Sequence, residues 1–143
     1  MNKIIKPLLI ITILLAVLSG VISCSKTPLP AQNDEEIAAI RAYADPTTQT
    51  TLEGLSETNL AKYTQYGNSQ FKAAVTQDIL NQASSQINSQ FGSFVSITFL
   101  RTEKQSNYNI VHYKATYTNG SVGVRMVFDT DHLVAGQWFE PVQ

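Results

Sequence analysis

This sequence predicts an α+β domain, with N-terminal helices packed on one face of a four-stranded antiparallel β-meander. Three observations carry that expectation. Asn119-Gly120 lies between two β-rich runs that end at Tyr117 and begin at Val122, as in a tight hairpin. Val95, Ile97 and Phe99 alternate with Ser96 and Thr98, the period of a half-buried strand. Upstream, Leu80, Ala83, Ile87 and Phe91 recur three and four apart between Thr76 and Gly92, the period of an amphipathic helix with a cap at each end.

In chain order, Lys3 and Lys6 come first, then the almost wholly apolar Pro7 to Leu18, then Ser19, Gly20 and Ser23. That is the order of a secretory signal, here residues 1–23. Leu8 to Ile22 is 15 positions, broken by Thr12, Ser19 and Gly20. A spanning helix needs about 20 apolar residues, so an uncleaved anchor is the second choice. Cys24, the one cysteine, follows directly. Val21-Ile22-Ser23-Cys24 resembles the bacterial lipoprotein box, with Val21 where Leu is preferred. The resemblance implies diacylglycerol on the Cys24 thiol, cleavage just before it, and an extracytoplasmic protein anchored to a bacterial membrane. An ordinary signal peptide with a chance cysteine is the alternative. Each buried CH₂ contributes about 0.8 kcal/mol, and one acyl chain anchors only marginally, so two or three chains hold firmly. A lipidated Cys24 leaves no thiol for disulfides, catalysis or metal ligation.

Without Lys3 and Lys6, eight basic side chains stand against eleven acidic ones, a formal charge of −3. There is no basic run, which argues against a nucleic-acid partner. Residues 24–33, with Lys26, Pro28 and Pro30, read as an extended tether, and residues 34–143 as the domain.

Asn33 predicts a helix N-cap, with Glu36 completing a capping box. Ile37, Ile40 and Ala44 form the apolar stripe. Asp45-Pro46 predicts a second helix start, capped by Asp45, running through threonines and Leu52 to Gly54. Ser56 predicts the cap of a short helix holding Leu60 and Tyr63, and residues 69–75 a further turn or two around Phe71 and Val75. Thr76 opens the strongest helix, which Gly92 stops.

The first strand is expected from Phe94 to Lys104. A turn at Asn119-Gly120 pairs Tyr117 with Val122, Ala115 with Val124, Tyr113 with Met126 and Val111 with Phe128, and turns Lys114 and Arg125 to the outer face, opposite each other. The last strand runs from about Leu133 to Glu140 after a turn from Asp129 to His132. Asp129 paired with Leu133 puts Val134, Gly136 and Trp138 on the core face. Gly136 suggests a bend or a close approach.

Helices followed by a four-stranded meander resemble the nuclear-transport-factor-2-like (cystatin-like) fold. More closely, the chain is similar to a bacterial domain-of-unknown-function family that occurs in small lipoproteins and fused to secreted α/β hydrolases. The similar stretches are Ala44-Asp45-Pro46, Gly54-Leu55 leading to Ala61-Lys62-Tyr63, Phe91-Gly92-Ser93-Phe94, Val124 to Asp129, and Ala135 to Phe139. The resemblance implies the fold and brings no catalytic residues. His132 stands where relatives usually place Gly, in a turn whose positive φ His tolerates.

His112, Asp129, Asp131 and His132 are the only grouping with metal or acid–base character, and three of them belong to one turn. No Gly-x-Ser-x-Gly elbow is present. No catalytic residue, cofactor or metal is expected. Tyr63, Tyr113, Tyr117, Phe128 and Trp138 form either plain core or a ligand pocket between helices and sheet. Leu100, Lys114, Arg125 and Phe139 form a candidate partner face on the outer side. The rows expected there are Leu100, Lys114, Arg125, Gln137 and then Thr98, Thr116, Gly123, Phe139. The expected function is a lipid-anchored, non-catalytic extracytoplasmic module that binds a small ligand or an envelope protein. The alternatives are a small enzyme using the inner cavity and a structural or homodimeric envelope module.

Overall fold

The computed structural model describes residues 32–142. The expectations for the signal at 1–23, for Cys24 and for the tether up to residue 31 lie outside the described residues. Helices α1 (Asp34–Ser56), α2 (Leu60–Tyr63), α3 (Ser69–Ala74) and α4 (Gln77–Phe91) precede strands β1 (Phe94–Gln105), β2 (Tyr108–Tyr117), β3 (Gly120–Phe128) and β4 (Val134–Glu140). The strands pair antiparallel in the order β1-β2-β3-β4. The helices cover one face, where Leu52, Leu55, Phe71, Leu80 and Ile87 meet Val111, Tyr113, Val124, Met126 and Phe128. This is the predicted α+β meander.

Asn33 caps α1, its side chain accepting from the Glu36 N–H at 2.8 Å. The helix then runs unbroken through Pro46, which corrects the restart expected at Asp45. Pro46 has no N–H for the Ala42 carbonyl, but Ala42 is exposed, where water can replace the bond. Thr47, Thr48 and Thr51 are buried, and the Thr51 hydroxyl donates to the Thr47 carbonyl at 2.9 Å. The helix itself therefore satisfies a polar group that packing turns inward.

α1 ends at Ser56, not at Gly54. Gly54 answers a different need: a Cβ there would stand 2.4 Å from the backbone nitrogen of Tyr63, where α2 crosses. Asn59, rather than Ser56, caps α2 by accepting from Lys62 N–H. Asn68 caps α3 and Thr76 caps α4. Gly92 closes α4 at φ 80°, as expected of a C-terminal glycine.

The β2–β3 turn is Thr118-Asn119, one residue earlier than expected. The pairs are Tyr117 with Gly120, Ala115 with Val122, Tyr113 with Val124 and Val111 with Met126. Neither turn residue takes a positive φ. The tip is shaped from outside: Thr118 N–H donates to Ser93 O and Asn119 N–H to Phe91 O, while Ser93 N–H donates to Thr118 Oγ1. Lys114 consequently faces Gly123, and Arg125 faces His112, so the two cations are not opposed.

β4 begins as expected, with Asp129 N–H bonded to Leu133 O at 2.9 Å and Phe128 opposite Val134. A bulge between Val127 and Phe128 then shifts the register by one. Gly136 faces Val127 and Trp138 faces Arg125, so both leave the core face. Gln137 and Phe139 take their place, and Phe139 packs against the core. Two further irregularities lie in β1, between Phe94 and Ser96 and between Phe99 and Arg101. The expected outer rows therefore do not form. The observed rows are Thr98, Lys114, Gly123, Glu140 and Arg101, His112, Arg125, Trp138.

Candidate functional site: a groove between the first helix and the sheet

Arg41, Asp45 and Gln49 stand four apart on α1 and form one stripe of its surface. With Pro46 and Thr50 they face Ile97 and Phe99 of β1 and Tyr113 of β2, and together these residues line a groove of about 510 Å³. Asp45 is its centre. Arg41 Nε and Nη2 donate to Asp45 Oδ2 at 3.1 and 2.9 Å, and the Tyr113 hydroxyl donates to Asp45 Oδ1 at 2.8 Å. The Arg41 guanidinium also lies over the Phe99 ring, 4.5 Å from its centroid.

The electrostatics follow from those contacts. The hydrogen bond and charge of Asp45 raise the Arg41 pKa. Burial raises the Tyr113 pKa, and the bond to Asp45 raises it further. The phenol keeps its proton and donates a hydrogen bond through it to the carboxylate. Both carboxylate oxygens are engaged, so the groove has a preformed polar wall. Thr50 donates to the Pro46 carbonyl at 2.9 Å, and Gln49 to Glu53 Oε1 at 3.1 Å, so the rim is also internally bonded.

The five aromatic residues expected around one pocket are divided. Tyr113 lines the groove. Tyr63 and Trp138 line a separate, smaller cavity beside α3. Tyr117 and Phe128 line neither and lie in the core. Burial raises the pKa of Tyr63 and of Tyr117, whose hydroxyl is buried without a partner.

The candidate partner face is also redistributed. Leu100 is exposed at the second β1 irregularity, Lys114 is half-buried, and Phe139 belongs to the helix side. Arg125 lies over the Trp138 ring, 5.0 Å from its centroid. His112 is on the outer face, as expected, but only 3% exposed. Its Nδ1 lies 2.6 Å from Glu140 Oε1, and its Nε2 lies 3.0 Å from Glu103 Oε1 without hydrogen-bond alignment. Carboxylates at both ring nitrogens leave no open ligand position.

Asp129 and its neighbours form a turn: Asp129 Oδ1 accepts from the N–H groups of Asp131 and Leu133. His132 takes φ 62° and stacks on Tyr43 at 4.1 Å. Among the described residues, no group of three or more His, Cys, Asp or Glu could hold a metal ion, and no helix is long and apolar enough to cross a membrane. Sequence reasoning missed Arg41 and Asp45 as site residues. The Arg41–Asp45 spacing of four was the available signal, hidden because Asp45-Pro46 also fits a helix start.

No curated protein matches the chain significantly. A crystal structure described as an NTF-2 like protein of unknown function from Burkholderia xenovorans LB400 shares 10% identity. The match covers 75% of this chain and 87% of that one, with a TM-score of 0.39. The family model described as "Protein of unknown function (DUF3887)" matches residues 33–136, and with that span, from the cap of α1 to Gly136 in β4, the chain belongs to this family.

Proposed function

We propose that the domain is a non-catalytic binding module, held outside the cytoplasm by lipid on Cys24, that takes a small ligand in the α1–sheet groove. The observation that carries this is Asp45, locked by Arg41 and Tyr113 at the centre of a groove of about 510 Å³. That volume lies within the roughly 300–1,000 Å³ of small-molecule sites. Ile97, Phe99 and Pro46 offer an apolar wall, and Arg41, Gln49 and Thr50 a polar one. The fitting ligand has one flat apolar side and a polar edge that meets the free donors of Arg41.

A thermal-shift screen of metabolites on the purified chain tests the binding. A hit should stabilise the wild type and fail on Asp45→Asn, which loses the Arg41 ion pair. Hits unaffected by Asp45→Asn would place binding elsewhere, and turnover of a hit would make the protein an enzyme. The anchor is tested separately by labelling with a palmitate analogue. Wild type should take the label and Cys24→Ala should not. An unlabelled wild type would refute the lipid.

A further inference from the structure

The smaller cavity, about 70 Å³, lies between α3 and β4 and shares no residue with the α1 groove. Tyr63, Phe71, Val75 and Trp138 give it apolar walls. Its polar members are Gln70, which is exposed, and Gln137, placed on the helix side by the one-residue shift in β4. Gln137 is 9% exposed, and its Oε1 is buried without a hydrogen-bond partner. Buried polar atoms are nearly always paired, so an orphaned acceptor in a mostly apolar recess calls for a donor from outside the chain, a ligand or a water. A cavity of about 150 Å³ holds benzene. Half of that holds a group the size of isopropyl.

We propose that this recess is the anchor site for a short branched aliphatic group with an N–H donor beside it, as in an aliphatic amide. The donor meets Gln137 Oε1, and the branched group packs among Phe71, Val75 and Trp138. The inference is independent of the groove and of the function proposed for it.

Trp138 is the only tryptophan in the chain, so all of its indole emission comes from a ring that lines this recess on one side and meets Arg125 on the other. The probes are isobutyramide and methyl isobutyrate, alike in their branched group, of which only the amide donates. Isobutyramide should change the emission saturably, with the ester about tenfold weaker, the worth of roughly one hydrogen bond. Gln137→Leu should erase the difference between the probes. Ala74→Leu, which fills the recess from α3, should abolish binding while circular dichroism shows an intact fold. Should Gln137→Leu fail to fold, the two probes on wild type still decide. Equal affinity for both, or no saturation by isobutyramide, overturns the proposal.

Discussion

The Tyr113 hydroxyl donates to Asp45 Oδ1 at 2.8 Å and ties β2 to α1 across 68 residues of chain. The two ends of this bond are unequally buried. Tyr113 is fully buried, while the Asp45 side chain is 32% exposed. Removing Asp45 strands a buried hydroxyl; removing the hydroxyl leaves a carboxylate that water can reach. Asp45→Ala should therefore destabilise the domain by about 1–3 kcal/mol, and Tyr113→Phe by only about 0.5–1.5 kcal/mol. Urea unfolding of both variants checks the order, and equal losses would mean that water already reaches the phenol.

Gly54→Ala should lower stability, against the helix scale. Alanine gains about 1 kcal/mol over glycine in a helix interior. Here the new Cβ stands 2.4 Å from Tyr63 N and 2.7 Å from Tyr63 Cα, both backbone atoms that cannot rotate away. Overpacking costs about 1–3 kcal/mol and more where the backbone must move. Thermal unfolding should show a melting temperature lower by several degrees; a rise would mean that α2 yields freely.

Gly92, which closes α4 against the hairpin tip, and Gly120, which opens β3, should behave differently. Gly92 has φ 80°, and a Cβ there meets Thr118 Oγ1 at 2.0 Å. Gly120 also has a positive φ, 159°, at the edge of the range that strains L side chains, and its Cβ meets only the Phe91 ring edge at 3.2 Å. Gly92→Ala should cost about 1–3 kcal/mol through strain, and Gly120→Ala clearly less. Chemical denaturation decides, and the reverse ranking would restore a turn centred on Asn119-Gly120.

Alkali should unfold the protein. Burial raises the pKa of Tyr43, Tyr63, Tyr113 and Tyr117 in the folded state. Above about pH 10, the ordinary tyrosine value, the unfolded chain has lost these protons while the folded one keeps them. Fewer protons on the unfolded state means that stability falls as pH rises. The stabilisation is complete below about pH 10 and is lost as pH climbs toward the folded values. Apart from the exposed Tyr66 and Tyr108, tyrosinate absorbance and circular dichroism should change together; all six phenolates appearing while the fold persists would contradict the burial.

The core face of the central hairpin was legible even though its turn was not. Moving the turn from Asn119-Gly120 to Thr118-Asn119 slides the pairing by two residues, which preserves every facing. The β4 bulge slides it by one, which exchanges Trp138 and Phe139 between faces. No local residue pattern announces that extra residue. The turn itself answered to Phe91 and Ser93, distant in sequence from Thr118, and such tertiary override is invisible to a local signal. The caps at Asn33 and Thr76 were legible because each is satisfied by the N–H group three residues on. The groove was half legible: Tyr113 came from the strand alternation, while Asp45 was assigned to capping because its partner lies 68 residues away.

The sheet is held at both ends of β3 by chain that is not part of it. At one end the Thr118-Asn119 tip is bonded to Phe91 and Ser93. At the other, Asn68 N–H donates to Val134 O, Val134 N–H to Tyr66 O, and Asn68 Nδ2 to Asp129 Oδ2. Extra residues spliced into 64–68 or 91–93 would pull these ties apart. The β1–β2 tip is different: Gln105, Ser106, Asn107 and Tyr108 are exposed, with Ser106 at φ 53°. An epitope or fluorophore grafted between Ser106 and Asn107 extends a loop that bears no such tie among the described residues. That hairpin is the protein's natural handle for labelling.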